Sequence, residues 1–367
     1  MKVFTKKKER EIKKYYSNRH KENLGLLFII FLINCLIIPN FSLNYIRKLE
    51  NDGTINEIII KVLDINDNII YSEFSYDDKI IEENQITLRW NKSLSNLDTI
   101  FYNIPNLVEI DFSKFNSTDI ISMRNLFFNC SNLKIINFGI HFDTSLVTNM
   151  ENMFKECTSL EYLNLSTFDT SKNKYFNYMF YNCHSLKSLD LHSFNTEAGV
   201  DMREMFSNCT SLASLDISSF NTKSTIAMNK MFCNCFSLTS LVLSGFNTAL
   251  VTSFEYYFAY CENLTSINLT KFDTSNCQIM NGMFLNCKSL KTLDVSSFDT
   301  SLVTNIDYMF FGCSGLTSIN LSNFNTSKIT SFNRLFEDGM LLLSLNIINL
   351  IQAKSLTFII CFLIVGL

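Results

Sequence analysis

The chain has 367 residues, 47% of them hydrophobic and 18% charged, which supplies a large core and excludes a disordered tail. Two prolines, Pro39 and Pro105, and ten glycines exclude collagen-like and Pro-rich segments and favour long, regular structure. The net charge of −4 is unevenly spread: residues 1–23 carry nine Lys/Arg against three Glu, a local +6 that leaves −10 for the rest. A body of that sign repels phosphates, so no nucleic acid partner is expected.

The basic segment 1–23 is followed by residues 24–39, LGLLFIIFLINCLIIP, in which Asn34 is the only strongly polar side chain. Basic residues ahead of an apolar run hold the N-terminus in the cytoplasm, so 24–39 reads as a signal sequence or an uncleaved signal-anchor contacting the membrane. The run is shorter than the roughly 20 residues of a comfortable span, and a buried core helix is the alternative. Residues 42–96 are expected to form a β-rich cap, because NEIIIKVL, NIIYSEFS and QITLRW between Asn56 and Trp90 have strand composition. The chain closes on a second apolar segment, 356–367, too short to span alone.

Between these ends the sequence repeats itself. Cysteines stand at 130, 157, 183, 209, 235, 261, 287 and 313, spaced by 27 residues once and by 26 thereafter, and the extra residue lies in NFGIHFDT, where other copies read like NLSTFDT. With a copy lacking Cys before Cys130 and a degenerate copy after Cys313, residues 97–350 hold ten copies. Counting the cysteine as position 0, Phe recurs ten times at −3 and nine times at +11 or +12, so nineteen of the 34 Phe are repeat positions.

Each copy predicts two elements. The apolar positions −10, −7, −4, −3, 0 and +3 fall within roughly 140° at about 100° per residue, the pattern of an amphipathic helix. In one copy these are Val147, Met150, Met153, Phe154, Cys157 and Leu160. Leucines at +6 and +8 then alternate with polar residues as in a half-buried strand. Asp or Asn followed by Thr after the closing Phe is suited to capping the next helix. One such unit cannot bury its own apolar face, so the copies must stack. The expected fold is an α/β solenoid with one parallel sheet and one layer of short helices or turns, a small N-terminal β cap and terminal hydrophobic segments.

The run L-x-x-L-x-L-x-x-F-(D/N)-T-S-x-V-T-N-M-x-x-M-F-x-x-C is approached by Leu160 to Cys183 and, with Val295 for the third leucine, by Leu290 to Cys313. It resembles the 26-residue repeat of BspA-like leucine-rich-repeat surface proteins of bacteria, also found in mycoplasmas and protists. The resemblance implies a leucine-rich-repeat-like right-handed solenoid, a parallel sheet plus short helices, on a secreted or membrane-tethered protein with a role in adhesion. The chain departs from the pattern with Phe254 and Tyr257 in place of two Met, and at Asn173, Gly199 and Thr225 where Val is expected, which puts local helix packing there in question.

The cysteine column is open to three readings: metal ligation, disulfides between rungs, or packing as small apolar side chains. With one Cys per rung and no C-x-x-C pair, four convergent zinc ligands do not form. Successive rungs lie within disulfide range, yet the column falls on the inward face, where a free Cys behaves as a small hydrophobe. Cys233, in MFCNC, is the one expected to face solvent. At +7 a polar row runs through Asn164, Asp190, Asp216, Asn268 and Asp294. The row reads as a solvated polar ladder, since Ser and Thr flank it and no His or nucleophile is expected to adjoin; the alternative is that Asp190 and Asp216, on adjacent rungs, raise one another's pKa or share a calcium ion. Asn-x-Ser/Thr sequons, Asn164 and Asn268 among them, reflect an Asn- and Ser-rich composition as readily as glycosylation.

With four His and no readable Ser/His/Asp arrangement, no enzyme and no cofactor is expected. The expected function is non-catalytic binding of an extracellular protein or glycan on the outer sheet face, through Tyr162, Asn164, Ser188, Asp190, Ser214, Asp216, Ser240, Ser266, Asn268, Thr292 and Asp294. The alternative is a structural coat component that self-associates.

Overall fold

The sequence period becomes a spatial one. The computed structural model describes residues 56–62, 85–90, 94–338 and 344–346. Segments 1–23, 24–39 and 356–367, and the run NIIYSEFS, lie outside the described residues. Through 94–338 each copy lies parallel on the next, with equivalent positions bridged: Asn96 to Ser122, Asn149, Tyr175, Asp201 and Ala227 in turn, then Ser253 to Ile279, Asn305 and Ser331.

The helix expected from −10 to 0 is corrected by the structure, since no helix occurs among the described residues. That segment is a succession of tight turns. The N–H groups of Met153, Lys155 and Cys157 donate to carbonyls three residues back, on Met150, Asn152 and Phe154. The N–H groups between them donate to the next copy: Met150 to the Tyr175 carbonyl at 3.2 Å, Asn152 to Asn177 at 3.0 Å, Phe154 to Met179 at 2.9 Å and Glu156 to Tyr181 at 2.8 Å. A helix satisfies its N–H groups internally, whereas this alternation satisfies half within a copy and uses the other half to tie copies together.

The alternation needs a left-handed residue at −5 and another at −1. Asn152 (φ 55°) and Glu156 (φ 65°) fill them in one copy, and the pair recurs in all ten. Six of the −1 residues are Asn, the non-glycine type that enters this region at least cost. Gly282 (φ 60°) fills one −5 position, where a Cβ would come within 2.4 Å of the Tyr256 ring. The copy with the extra residue absorbs it at Gly139 (φ 74°), leaving Ile140 82% exposed.

Turns of about three residues point the same side chains inward as the expected helix, so the apolar periodicity survives. The −3 phenyl rings form one unbroken column from Phe101 to Phe336, with centroids 5.6–5.8 Å apart and planes within 19° of parallel. Beside it runs the sulfur column, each thiol donating to the carbonyl of the −3 Phe one copy earlier, as Cys183 does to Phe154 at 3.2 Å. The ten described cysteines are free, and all are buried except Cys233, which is half-buried. Burial pushes Cys130 and Cys313 up to about 12 and Cys233 up to about 11.

The departures from the pattern fit the interior. Tyr257 is fully buried with its hydroxyl 3.7 Å from the Met231 sulfur, and its ring meets Phe232, Phe254 and Phe258 edge-on. Phe176 takes a Met position one copy before Gly199, where an added Cβ would sit 3.1 Å from the Phe176 ring, so the glycine makes room for the larger side chain. Thr225 donates to the Gly199 carbonyl at 2.9 Å. Asn173 donates to the Tyr175 carbonyl at 3.2 Å, and its own side-chain oxygen is buried without a partner.

Each Asp/Asn-Thr pair does two jobs, neither of them capping a helix. The Asp or Asn oxygen accepts the N–H two residues on, as in Asp169 with Ser171 at 2.9 Å. From Thr144 to Thr300 the Thr is buried and bridges copies: the Thr222 hydroxyl donates to the Asn247 carbonyl at 2.7 Å and accepts the Asn247 N–H at 2.8 Å. The same arrangement is complete at Thr170, Thr196, Thr248, Thr274 and Thr300.

Strand pairing is short. β1 (Asn56–Val62) lies between β2 (Gln85–Trp90) and β3 (Leu107–Asp111), antiparallel to both, and β3 pairs in parallel with β4 (Ile135–Asn137). Further along, β5 (Ser214–Leu215) pairs in parallel with β6 (Ser240–Leu241), and β7 (Ser318–Asn320) with β8 (Ser344–Asn346). Elsewhere this side is joined by single bonds at +4, such as Lys187 N–H to Glu161 O at 3.1 Å, and by one isolated parallel bridge at +7, Asp190 to Asp216.

Two substitutions test what holds the copies together. Phe206→Ala, which opens the column between Phe180 and Phe232, is expected to lower unfolding free energy by about 3–5 kcal/mol in denaturant titration. Thr222→Val keeps the shape but strands the Asn247 N–H and carbonyl, and should cost about 1–3 kcal/mol, with Thr222→Ser recovering most of it.

Candidate binding face

Leu189, Leu215, Leu241 and Leu293 at +6 point into the core, and this fixes the outward direction of the residues at +5 and +7 on either side. All eleven residues expected on the face are exposed: Tyr162, Asn164, Ser188, Asp190, Ser214, Asp216, Ser240, Ser266, Asn268, Thr292 and Asp294. The parallel pairs Ser214–Ser240 and Asp190–Asp216 place them in rows that run along the stack. Val242, 52% exposed, interrupts the +7 row, and Tyr162, 61% exposed, ends the +5 row.

Apart from Val242, which has no side-chain acceptor, each +7 residue of the face bends the chain after its strand by accepting the N–H two residues on. Asn164 accepts from Ser166 at 3.0 Å, Asp190 from His192 at 3.0 Å, Asp216 from Ser218 at 2.9 Å, Asn268 from Thr270 at 3.1 Å and Asp294 from Ser296 at 2.9 Å. Amide and carboxylate therefore serve the turn equally, and the choice between them sets only the charge shown to solvent.

The pKa values of Asp190 and Asp216 are lowered on balance, not raised. The His192 N–H holds Asp190 below the usual carboxylate value, the Ser218 N–H does so for Asp216, and the Ser296 hydroxyl and N–H for Asp294. Repulsion from Asp190 is the weakest influence on Asp216, since both carboxylates stand in water. Among the described residues no three His, Cys, Asp or Glu side chains converge as a metal site.

Several features of the face escaped the sequence reading. His192 Nδ1 lies 2.6 Å from Asp190 Oδ1, so a histidine does adjoin the acidic row, but among the described residues no nucleophile is hydrogen-bonded to it. Ion pairs cross successive copies at equal repeat positions, Glu161 with Lys187 at 2.5 Å and Glu262 with Lys288 at 2.8 Å, and Glu197 with Lys223 likewise. The signal was present as charge reversal at a 26-residue spacing. The Lys187 ammonium also lies 5.7 Å from the Tyr162 ring centre. On the turn side, Lys155 sits over the rings of Tyr178 at 4.3 Å, Tyr181 at 4.7 Å and Phe128 at 5.6 Å.

Among the described residues no helix is long and apolar enough to cross a membrane, and residues 24–39 lie outside them. Comparison with curated proteins and with solved structures finds no match. A family model matches residues 95–215, 186–267 and 252–354, three overlapping stretches that together take in the whole stack of repeats. The chain belongs to the family described as Mycoplasma protein of unknown function, DUF285.

Proposed function

We propose that the stack is a leucine-rich-repeat-like right-handed solenoid of the BspA-like kind, held at the cell surface by residues 24–39, whose sheet face binds protein or glycan ligands without catalysis. One observation carries this reading: the interior positions are sealed while eleven polar or aromatic side chains at +5 and +7 stand exposed in rows. Extended repeat surfaces of this kind suit many shallow contacts. The acidic row supports binding over hydrolysis, because carboxylates held ionised and spaced along a flat face offer no proton donor to a leaving group.

The test replaces Asp190, Asp216 and Asp294 together by Asn in the full-length chain. Asn keeps the turn bond, as Asn164 and Asn268 show, so the unfolding midpoint should stay unchanged. Capture from a panel of matrix proteins and glycans should fall several-fold; undiminished capture counts against this face. Light scattering of the full-length chain distinguishes the coat alternative, for which polymers growing with concentration are required. Protease shaving of intact cells should release the repeats, and their protection would overturn the surface placement.

The same carboxylates set a pH dependence. Their folded-state values are lowered, so the charged face persists above the ordinary carboxylate value and is lost only as pH falls through the lower folded one. Capture should therefore hold down to about pH 4 and decline below it. A decline centred well above that pH would show that other groups govern binding.

A further inference from the structure

The hydroxyls of Ser188, Ser214, Ser240, Ser266 and Thr292 share one repeat position on five consecutive rungs, are exposed, and make no hydrogen bond within the described residues. Rungs lie about 4.8 Å apart, so the row presents one free hydroxyl per step along the stack axis. The neighbouring Asp190, Asp216 and Asp294 use one carboxylate oxygen in their own turns and leave the other available as an acceptor. Tyr162 closes the row at one end with a largely exposed ring.

We propose that this face takes a linear, uncharged polysaccharide laid along the stack axis, one sugar ring stacking on Tyr162 and successive sugars hydrogen-bonding to the serine row. This rests on the sheet-face reading above and names its ligand class. An extended peptide advances only about 3.3 Å per residue and falls out of step with the rungs, whereas a sugar ring is close to one rung in length. Protein partners are anchored by clustered aromatic and Arg side chains in dry pockets, and between Ser188 and Thr292 the two rows offer a single apolar residue, Val242. The carboxylates at +7 repel acidic polymers and accept hydrogen bonds from neutral hydroxyls. Each sugar contributes little alone, so binding depends on the number of rungs engaged.

The experiment is calorimetric titration of the full-length chain with N-acetylated chito-, cello- and manno-oligosaccharides from dimer to octamer, and with hyaluronate fragments of matching length. For at least one neutral series, affinity should climb at least tenfold from dimer to hexamer and then level off, while hyaluronate binds at least tenfold more weakly. Tyr162→Ala should lower hexamer affinity at least fivefold, and Ser214→Glu, which leaves the buried Leu215 untouched, should do the same. Affinity independent of length, equal binding of hyaluronate, or indifference to both substitutions would overturn the proposal. If no neutral oligosaccharide binds while the triple Asp→Asn variant still loses capture of a matrix protein, the ligand class is wrong and the binding face stands. If that variant also keeps full capture, both fall.

Discussion

The backbone ladder of the turn segment is the constraint on which everything else rests. In most of the described copies four N–H groups, at −7, −5, −3 and −1, donate to carbonyls 25 residues ahead, or 26 across the copy with the extra residue, and the alternate N–H groups close turns within the copy. Individually such bonds contribute about 0.5–1.5 kcal/mol net, but they recur in register, and a copy cannot shift without breaking all of its set. The ladder also dictates local conformation. Aiming alternate amides at the neighbour requires the left-handed residues at −5 and −1, and at −1 the sequence concentrates Asn, which lowers the strain.

The interior follows from that register. Once equivalent residues are superposed, identical side chains become neighbours, and each column must tolerate its own repetition. Phe does so by parallel offset stacking, Cys by donating its thiol to a carbonyl of the preceding copy, and Thr by serving the next copy as both donor and acceptor. Larger or polar replacements survive where a neighbour compensates. Phe176 is accommodated by Gly199 one rung on, and Tyr257 by the sulfurs of Met228 and Met231.

Periodicity made the stacking and the identity of the buried positions legible from the residues alone: Val147, Met150, Met153, Phe154 and Cys157 are all inward, as their spacing implies. The local conformation was not legible, because inward positions three or four residues apart suit a helix and a chain of three-residue turns alike. The discriminating signal was the recurrent Asn before the cysteine, a residue type unfavourable inside a helix and favourable in the left-handed region. Exposure of the face could be read from alternation around the +6 leucines. The engagement of Asp190 and Asp216 in their own turns required knowing that the chain bends immediately after a two- or three-residue strand.

Stability and recognition are consequently assigned to different atoms. Interior columns and backbone bonds carry the stack, and the turn after the strand accepts a side-chain oxygen at +7 from Asp or Asn alike and still forms at Val242, which offers none. Exchange between the two changes the surface charge without changing the scaffold, and +5 has no structural demand beyond pointing outward. Tyr162, Ile135 and Val242 illustrate that freedom, being aromatic or aliphatic residues where most copies carry a small or polar one, with the residues at +6 beside them still buried. A surface built this way acquires new ligand chemistry by substitution at two positions per copy, and the cost to folding stays small because neither side chain enters the buried columns of the interior.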